Sequence, residues 1–310
     1  MLIKIDAEFA PIVLFVFARP DHTRRTLDAL VANKLAGESD LIIYADGARN
    51  VGEQDRVNLV RAIVNSLSGF KSVTVVEREI NYGLARNIIE GVSDVCSRYG
   101  RAIVLEDDIV TSPQFLTFMN AALDRYADDS RVWHISGWNY PINTEGLGDV
   151  FLWRLMNCWG WATWADRWVQ YKKEPARLVR EWSSEDIHRF NLDGGQNFWE
   201  QVTRNNDGAL NTWAIFWYAT IFENNGFCVN PSLSYVNNIG LDGSGENCGG
   251  SNTGILLPIN NVECNVFGCD IVESDIAVQR IQKYYKDQKK TLFVRVINKI
   301  ARSTLGRNVL

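Results

Sequence analysis

Paired cysteines are missing from this sequence. Its six cysteines (Cys96, Cys158, Cys228, Cys248, Cys264 and Cys269) never fall as C-x-x-C, which removes the spacing of a zinc ribbon or a dithiol redox motif and leaves mostly buried thiols as the reading. Histidine is scarce: His22, His134 and His188 lie far apart and offer no metal-ligand spacing. Proline is scarce too, with seven in 310 residues. No Pro- or Ser-rich linker and no internal repeat is visible, so one continuous domain with a C-terminal extension is the simplest division. No apolar run approaches the roughly 20 residues of a bilayer-spanning helix. The start, "MLIKIDAEFAPIV", lacks the basic opening and long apolar core of a secretory signal, and the expectation is a cytoplasmic protein.

What is present is an ordinary folded composition, 46% hydrophobic and 22% charged. The net charge of -5 hides an asymmetry: nine Lys or Arg against Asp275 and Asp287 give the segment from Asp275 onward +7 and leave -12 for the rest. An acidic body argues against broad nucleic-acid binding. In the tail, Phe293, Val296, Ile297 and Ile300 share a helical face flanked by Arg295, Lys299 and Arg302. That pattern suits an anionic membrane surface, or equally a helix packed on the body with its charges in water.

The first hundred residues alternate strand and helix signals. "PIVLFVF" (11–17) is a continuous apolar run of the length of a strand buried on both faces. Asp21 and Thr23 offer caps for a helix with Leu27, Leu30 and Val31 on one face. "LIIYA" (41–45), a helix carrying Val57, Val60, Ile63, Val64 and Leu67, and "SVTVVE" (72–77) follow. A third helix carries Leu84, Ile88, Val92 and Val95, stops near Gly100, and leads into the strand "AIVLE". Such units call for a parallel sheet covered on both faces, whose ligands bind beyond the carboxyl ends of the strands. Four polar groups of residues should therefore share one rim: Ala18-Arg19-Pro20, Asp46-Gly47, the turn "NYGLARN" (81–87) and Glu106-Asp107-Asp108.

Three adjacent acids repel one another, and burying them uncompensated costs several kcal/mol each. A divalent cation resolves this, because Mg²⁺ and Mn²⁺ take oxygen ligands and are often held by one or two carboxylates plus diphosphate oxygens and water. In a continuing strand Glu106 and Asp108 would face one side and Asp107 the other, so all three would not ligate one ion. Asp46 can accept from a base or a ribose, the main chain at Gly83 can approach a ligand closely, and Arg19 and Arg86 can face a diphosphate. The plainer readings are a turn dipeptide at Asp46-Gly47 and solvated arginines.

All eleven tryptophans lie between 133 and 217. Most should be core, with two or three left as flat platforms for a sugar ring. The stretch "NIGLDGSGENCGG" (238–250) has no period and reads as a surface loop that closes over a site.

These residues resemble the nucleotide-diphospho-sugar transferases of the α/β fold called GT-A, a mostly parallel sheet with helices on both faces. They are most similar to the inverting N-acetylglucosaminyltransferase I group and its bacterial relatives. The matching segments, in order, are "VLEDD" (104–108) followed by "SPQFLTFMNAALDRY", "VWHISGWN" (132–139), "WGWATW" and "PSLSYVNNIG". The resemblance implies a glycosyltransferase domain over 1–272, with a donor half of about 10–110 and an acceptor half of about 111–272, and a basic extension over 273–310. It implies that Asp108 is the metal ligand for Mn²⁺ or Mg²⁺, and that Glu106 and Asp107 lie close to nucleotide and sugar. Asp46 contacts the nucleotide in that group, and Phe17, Ala18 and Arg19 line its pocket. Two positions depart from the pattern: Asn211 stands where an acid, the presumed base, is common, and Asn247 stands where a histidine is common. An amide cannot take a proton from a hydroxyl, so either the base comes from elsewhere, with Asp207 and Asp242 the nearest candidates, or this copy is weakened, altered or inactive.

The expected reaction is inverting transfer of a sugar from a nucleotide diphosphate, UDP favoured, to a glycan or lipid-linked acceptor in polysaccharide or glycoconjugate synthesis. A peripheral position on the inner face of a membrane goes with the basic tail. Two alternatives stand beside it. One is a non-catalytic sugar-nucleotide or glycan-binding protein, kept open by Asn211 and Asn247. The other is a sugar nucleotidyltransferase, disfavoured because "ARPDHTRRT" replaces a Gly-rich loop after the first strand.

Overall fold

In the computed structural model, residues 8–242, 258–264, 266–268 and 270–288 are described. The donor half builds β1 (Ile12–Val16), α1 (Pro20–Val31), β2 (Asp40–Ala45), α2 (Gln54–Asn65), β3 (Ser72–Glu77), α3 (Leu84–Tyr99) and β4 (Arg101–Glu106). All five residues of β1 are buried, as a strand covered on both faces requires. α1 begins one residue ahead of the expected caps. Pro20 takes the first helical position, where its fixed φ fits and its missing N–H costs nothing. Thr23 folds its hydroxyl back to the Arg19 carbonyl at 2.9 Å.

The second half adds β5 (Ile109–Thr111), α4 (Phe115–Arg125), β6 (Val132–Ser136), β7 (Val150–Trp153) and β8 (Trp161–Trp164). Then come α5 (Ala165–Trp168), α6 (Pro175–Glu181), α7 (Ser184–Phe190), α8 (Trp199–Asn206), α9 (Ala214–Glu223), β9 (Phe227–Pro231) and β10 (Val236–Asn238). Eight strands form one sheet in the order β3-β2-β1-β4-β8-β6-β9-β7. The pairs β3/β2, β2/β1, β1/β4 and β6/β9 are parallel, while β8 and β7 pair antiparallel with their neighbours. The sheet is thus mostly parallel, and the carboxyl ends of β1 to β4 do share one rim. Chain order reverses between β1 and β4, which makes their ends the switch point where such sheets bind ligands.

A two-stranded antiparallel ladder, β5 with β10, stands apart from the main sheet and pairs Asn238 with Ile109. Of "PSLSYVNNIG", only 236–238 is extended in this way. The loop beyond it, including Asn247, lies outside the described residues over 243–257.

The tryptophans form the core of the second half. Eight of the eleven are buried, and Trp159, Trp182 and Trp199 are half-buried. Trp161 stacks on Trp213 at 5.2 Å and on His134 at 5.4 Å. Cys96 and Cys228 are buried and Cys158 and Cys264 half-buried, with no disulfide among the described residues. A helix over 275–288 lies on the body: Ala277 and Ile281 are fully buried, and Tyr285 meets Tyr140 oxygen to oxygen at 2.6 Å. Arg154 grips Glu273 with two nitrogens at its entry. The remainder of the basic tail, 289–310, is outside the described residues. No described helix is long and apolar enough to cross a membrane.

Candidate active site

The site is assembled where β1 and β4 end. β4 stops at Glu106, and residues 107 and 108 form a turn before β5. Strand alternation therefore does not separate the acids, and one guanidinium reaches two of them. Arg19 donates from Nη2 to Asp107 Oδ1 and from Nε to Asp107 Oδ2 at 3.3 Å, and its Nη1 lies 3.0 Å from Asp108 Oδ2. The chain is bent to allow this: Ala18 has φ of 44°, a left-handed value uncommon for a residue with a Cβ. The Phe17 N–H donates to Asp107 Oδ2 at 3.2 Å, and Thr26 of α1 donates to the Asp107 carbonyl at 2.8 Å. Asp107 is thus fixed by β1, the turn after it and α1 together.

The charges do not balance. Three carboxyls face one arginine, and the consequence is read in their acidities. Burial, then Asp108 and Asp107, push the Glu106 carboxyl up to about 8. Burial pushes Asp107 up to about 6 even though Arg19 favours its charged form. For Arg19, burial works against the charged form, but Asp107 and Asp108 outweigh it and its pKa is raised. A protein that holds Glu106 near neutrality lacks positive charge at this point.

Asp46 lies next along the rim, 6% exposed. Its Oδ1 accepts from the N–H of Gly47 at 2.9 Å and of Tyr82 at 2.8 Å, and its Oδ2 accepts from Gly83 N–H at 3.0 Å and Asn81 Nδ2 at 3.1 Å. Four donors occupy the carboxylate, so in this state it organises the turn that starts α3. Gly47 is needed for that turn, since a Cβ there would meet the Ile80 carbonyl carbon at 2.5 Å. Gly83, φ 72°, has no neighbour within 4 Å of where a Cβ would lie, leaving its backbone open to the rim. Arg86 lies over the Tyr82 ring at 3.7 Å and pairs with Glu90 at 2.6 Å on the exposed side of α3.

The ladder β5/β10 brings a late segment to the triplet. Ile239 N–H donates to the Asp108 carbonyl at 2.9 Å. Gly240 sits so close that a Cβ would fall 2.1 Å from Asp108 Oδ2. Two residues on, Asp242 Oδ2 is 3.2 Å from His22 Nε2, which projects from the first turn of α1. Asp242 is thereby tied to α1, two residues after the glycine that abuts Asp108. His22 was not among the sequence candidates, and the available signal was its place three residues after Arg19, at a strand end of the rim. Asp207 ends α8, with Asn206 Nδ2 donating to it at 3.4 Å. Exposed Asn211 accepts from Lys173 Nζ. His134 is not a site residue. Trp217 Nε1 donates to its Nδ1 at 3.2 Å, so its Nε2 carries the proton toward the Asn157 carbonyl at 3.0 Å.

Among the described residues, no three His, Cys, Asp or Glu side chains gather closely enough to hold a metal by themselves. The donor set fits a hard divalent cation that takes one carboxylate from the protein and completes its shell with diphosphate and water, as Mn²⁺ and Mg²⁺ do. Asp108 would hold such an ion, with Glu106 and Asp107 beside it in the triplet.

A parallel half-sheet with its switch point at an acid triplet, continued by a mixed half-sheet rich in tryptophan, defines a nucleotide-sugar glycosyltransferase of GT-A type. The model of the GNT-I family matches residues 3–175, more than half of the chain, and the chain belongs to that family. No curated protein matches it. Among solved structures it is similar to a mannosyltransferase from Pyrobaculum calidifontis in complex with GDP-Man and Mn²⁺, at 11% identity and TM-score 0.37 over 72% of this chain and 71% of that one. It is also similar to GalNAc-T7 with UDP, GalNAc and Mn²⁺, at 9% identity and TM-score 0.42 over 73% of this chain and 43% of that one. A third is TarS of S. aureus, at 11% identity and TM-score 0.34 over 46% and 24%. The chain spans under half the length of the latter two.

Proposed function

We propose that this glycosyltransferase moves a sugar from a nucleotide diphosphate, UDP favoured, to an acceptor hydroxyl with inversion at the anomeric carbon, in a reaction that depends on Mn²⁺ or Mg²⁺. The observation that carries the metal is the charge imbalance at Glu106, Asp107 and Asp108 against Arg19. When bound, a divalent cation at Asp108 supplies charge to a diphosphate leaving group. Phe17, Ala18 and Gly83 lend backbone to the nucleotide pocket, and Asp46 keeps the 81–83 turn in register for it. Asp242 is the acceptor-side base this reading favours over Asp207, because Asp242 stands two residues from Gly240 at the triplet and is held by His22. Asn211, tied to Lys173, lines the acceptor side without taking a proton. Half-buried Trp159, edge-on to buried Trp138 at 4.7 Å, is the favoured platform for an acceptor ring.

The test is a thermal-shift screen of UDP-, GDP-, CDP- and dTDP-sugars with Mn²⁺ or with EDTA, followed by assay of nucleoside diphosphate release. A metal-dependent shift with one donor, and release only when acceptor is added, is the expected outcome; equal shifts in EDTA would remove the metal from the mechanism. A lipid-linked acceptor in a surface-polysaccharide pathway goes with the six basic residues of 289–310. Co-sedimentation with anionic liposomes, lost on deleting 289–310, checks that part.

A further inference from the structure

The contacts of Arg19 with the triplet are unequal. Nε and Nη2 take both oxygens of Asp107, the two-point grip that suits a planar guanidinium. Nη1 stands 3.0 Å from Asp108 Oδ2 but out of line with it, so this buried N–H has no aligned hydrogen-bond acceptor. A buried donor left that way favours any rearrangement that gives it a partner. Asp108, for its part, is hemmed in. Gly240 backbone closes one side of Oδ2 so tightly that a single methyl would overlap it, and Nη1 stands by the same oxygen. A dication and a guanidinium that share one carboxylate oxygen repel each other.

We propose that Arg19 makes metal binding conditional on the donor: its Nη1 screens Asp108 in the empty enzyme, and the planar guanidinium swings as one unit toward the diphosphate when that arrives, loosening its grip on Asp107. The inference rests on the metal-dependent reading above and adds the order in which the parts assemble. Guanidinium geometry suits both of its partners, because carboxylate and phosphate alike accept paired N–H donors. Coupling of this kind is reciprocal, so metal and diphosphate each raise the affinity for the other.

The measurement is Mn²⁺ binding to the full chain, read from the electron paramagnetic resonance signal of free Mn²⁺, with no nucleotide and then with UDP or GDP. Wild type should bind Mn²⁺ weakly alone and at least about tenfold more tightly with nucleotide. Arg19→Met should bind Mn²⁺ alone about tenfold more tightly than wild type and lose most of the nucleotide effect. Arg19→Lys keeps the charge but lacks the planar fork that grips both oxygens of Asp107 while a third nitrogen stands by Asp108, so it should fold and bind Mn²⁺ severalfold more tightly. It carries the test if Arg19→Met does not fold. Equal Mn²⁺ affinity in wild type and both variants overturns the role of Arg19 and leaves the metal reading standing. No Mn²⁺ uptake by any of them, with or without nucleotide, overturns both.

Discussion

The donor rim and the tryptophan-rich half are both deeply buried, yet they treat polar groups in opposite ways. Beside Trp161 the buried histidine is fully partnered: His134 is neutral, receives one hydrogen bond, gives one, and stacks on the Trp161 ring. Burial holds its pKa down to about 3, against the hydrogen bond to the Asn157 carbonyl, which favours the charged form. At the rim, carboxyls outnumber their counter-charge, Glu106 is driven toward neutrality, and Arg19 carries an N–H without an aligned acceptor. A buried region that is complete in itself contributes stability. One left electrically incomplete is set up to receive something, and the two regions should respond differently to the same insult.

The largest contrast should come from Asp108→Ala. It should reduce metal-dependent transfer by on the order of 10³-fold. The melting temperature should stay level or rise, since one of three like charges is gone; a cooperative loss of fold would mean that the triplet serves stability. Trp161→Ala should do the reverse, costing about 3–5 kcal/mol of unfolding free energy in a denaturant titration. Mn²⁺ affinity of the folded fraction should be unchanged.

The third difference is in pH. His134 has a folded pKa below its unfolded value, so the unfolded chain binds the extra proton between about 6.5 and about 3. Stability should be full above 6.5 and fall by a few kcal/mol as pH drops through that window. His134→Asn, which can accept from Trp217 and donate to Asn157, should flatten the slope in melts at pH 4 to 7. The smallest effect is expected for Asp46→Asn. Its amide would point N–H groups at N–H donors of the 81–83 turn, costing about 1–3 kcal/mol. If the turn positions donor, KM for the nucleotide sugar should rise more than kcat falls; an unchanged KM would leave Asp46 structural.

How much of this was legible in the sequence divides along the same line. The four parallel strands could be read because strands buried on both faces are apolar at every position, as "IVLFV" is. The rim followed from topology, and so did its acids. Pairings between distant short segments could not be read. β5 and β10 are three residues each, too short for a periodic signal, and so the arrival of Gly240 at Asp108 and of Asp242 at His22 has no trace in local pattern. The end of β4 at Glu106 agrees with the strand "AIVLE", but that one guanidinium, Arg19, holds Asp107 and Asp108 together in the turn beyond it is a tertiary contact with no local signal. His22 carries no local signal either, because metal-ligand spacing is a local test and its partner Asp242 is remote. Asp46 was found by position, but the four donors that occupy it come from a turn whose shape is set by Gly47 against Ile80.

The β5/β10 ladder has a consequence for how the protein is made. It joins residues 109–111 to 236–238, so more than a hundred residues must leave the ribosome after the acid triplet before the segment that walls it can return. A nascent chain can complete β1 to β4 as a unit and will expose Glu106, Asp107 and Asp108 to water for the interval, where their mutual repulsion is screened. The closing of this ladder is what brings Ile239 and Gly240 against Asp108, and it comes late in synthesis.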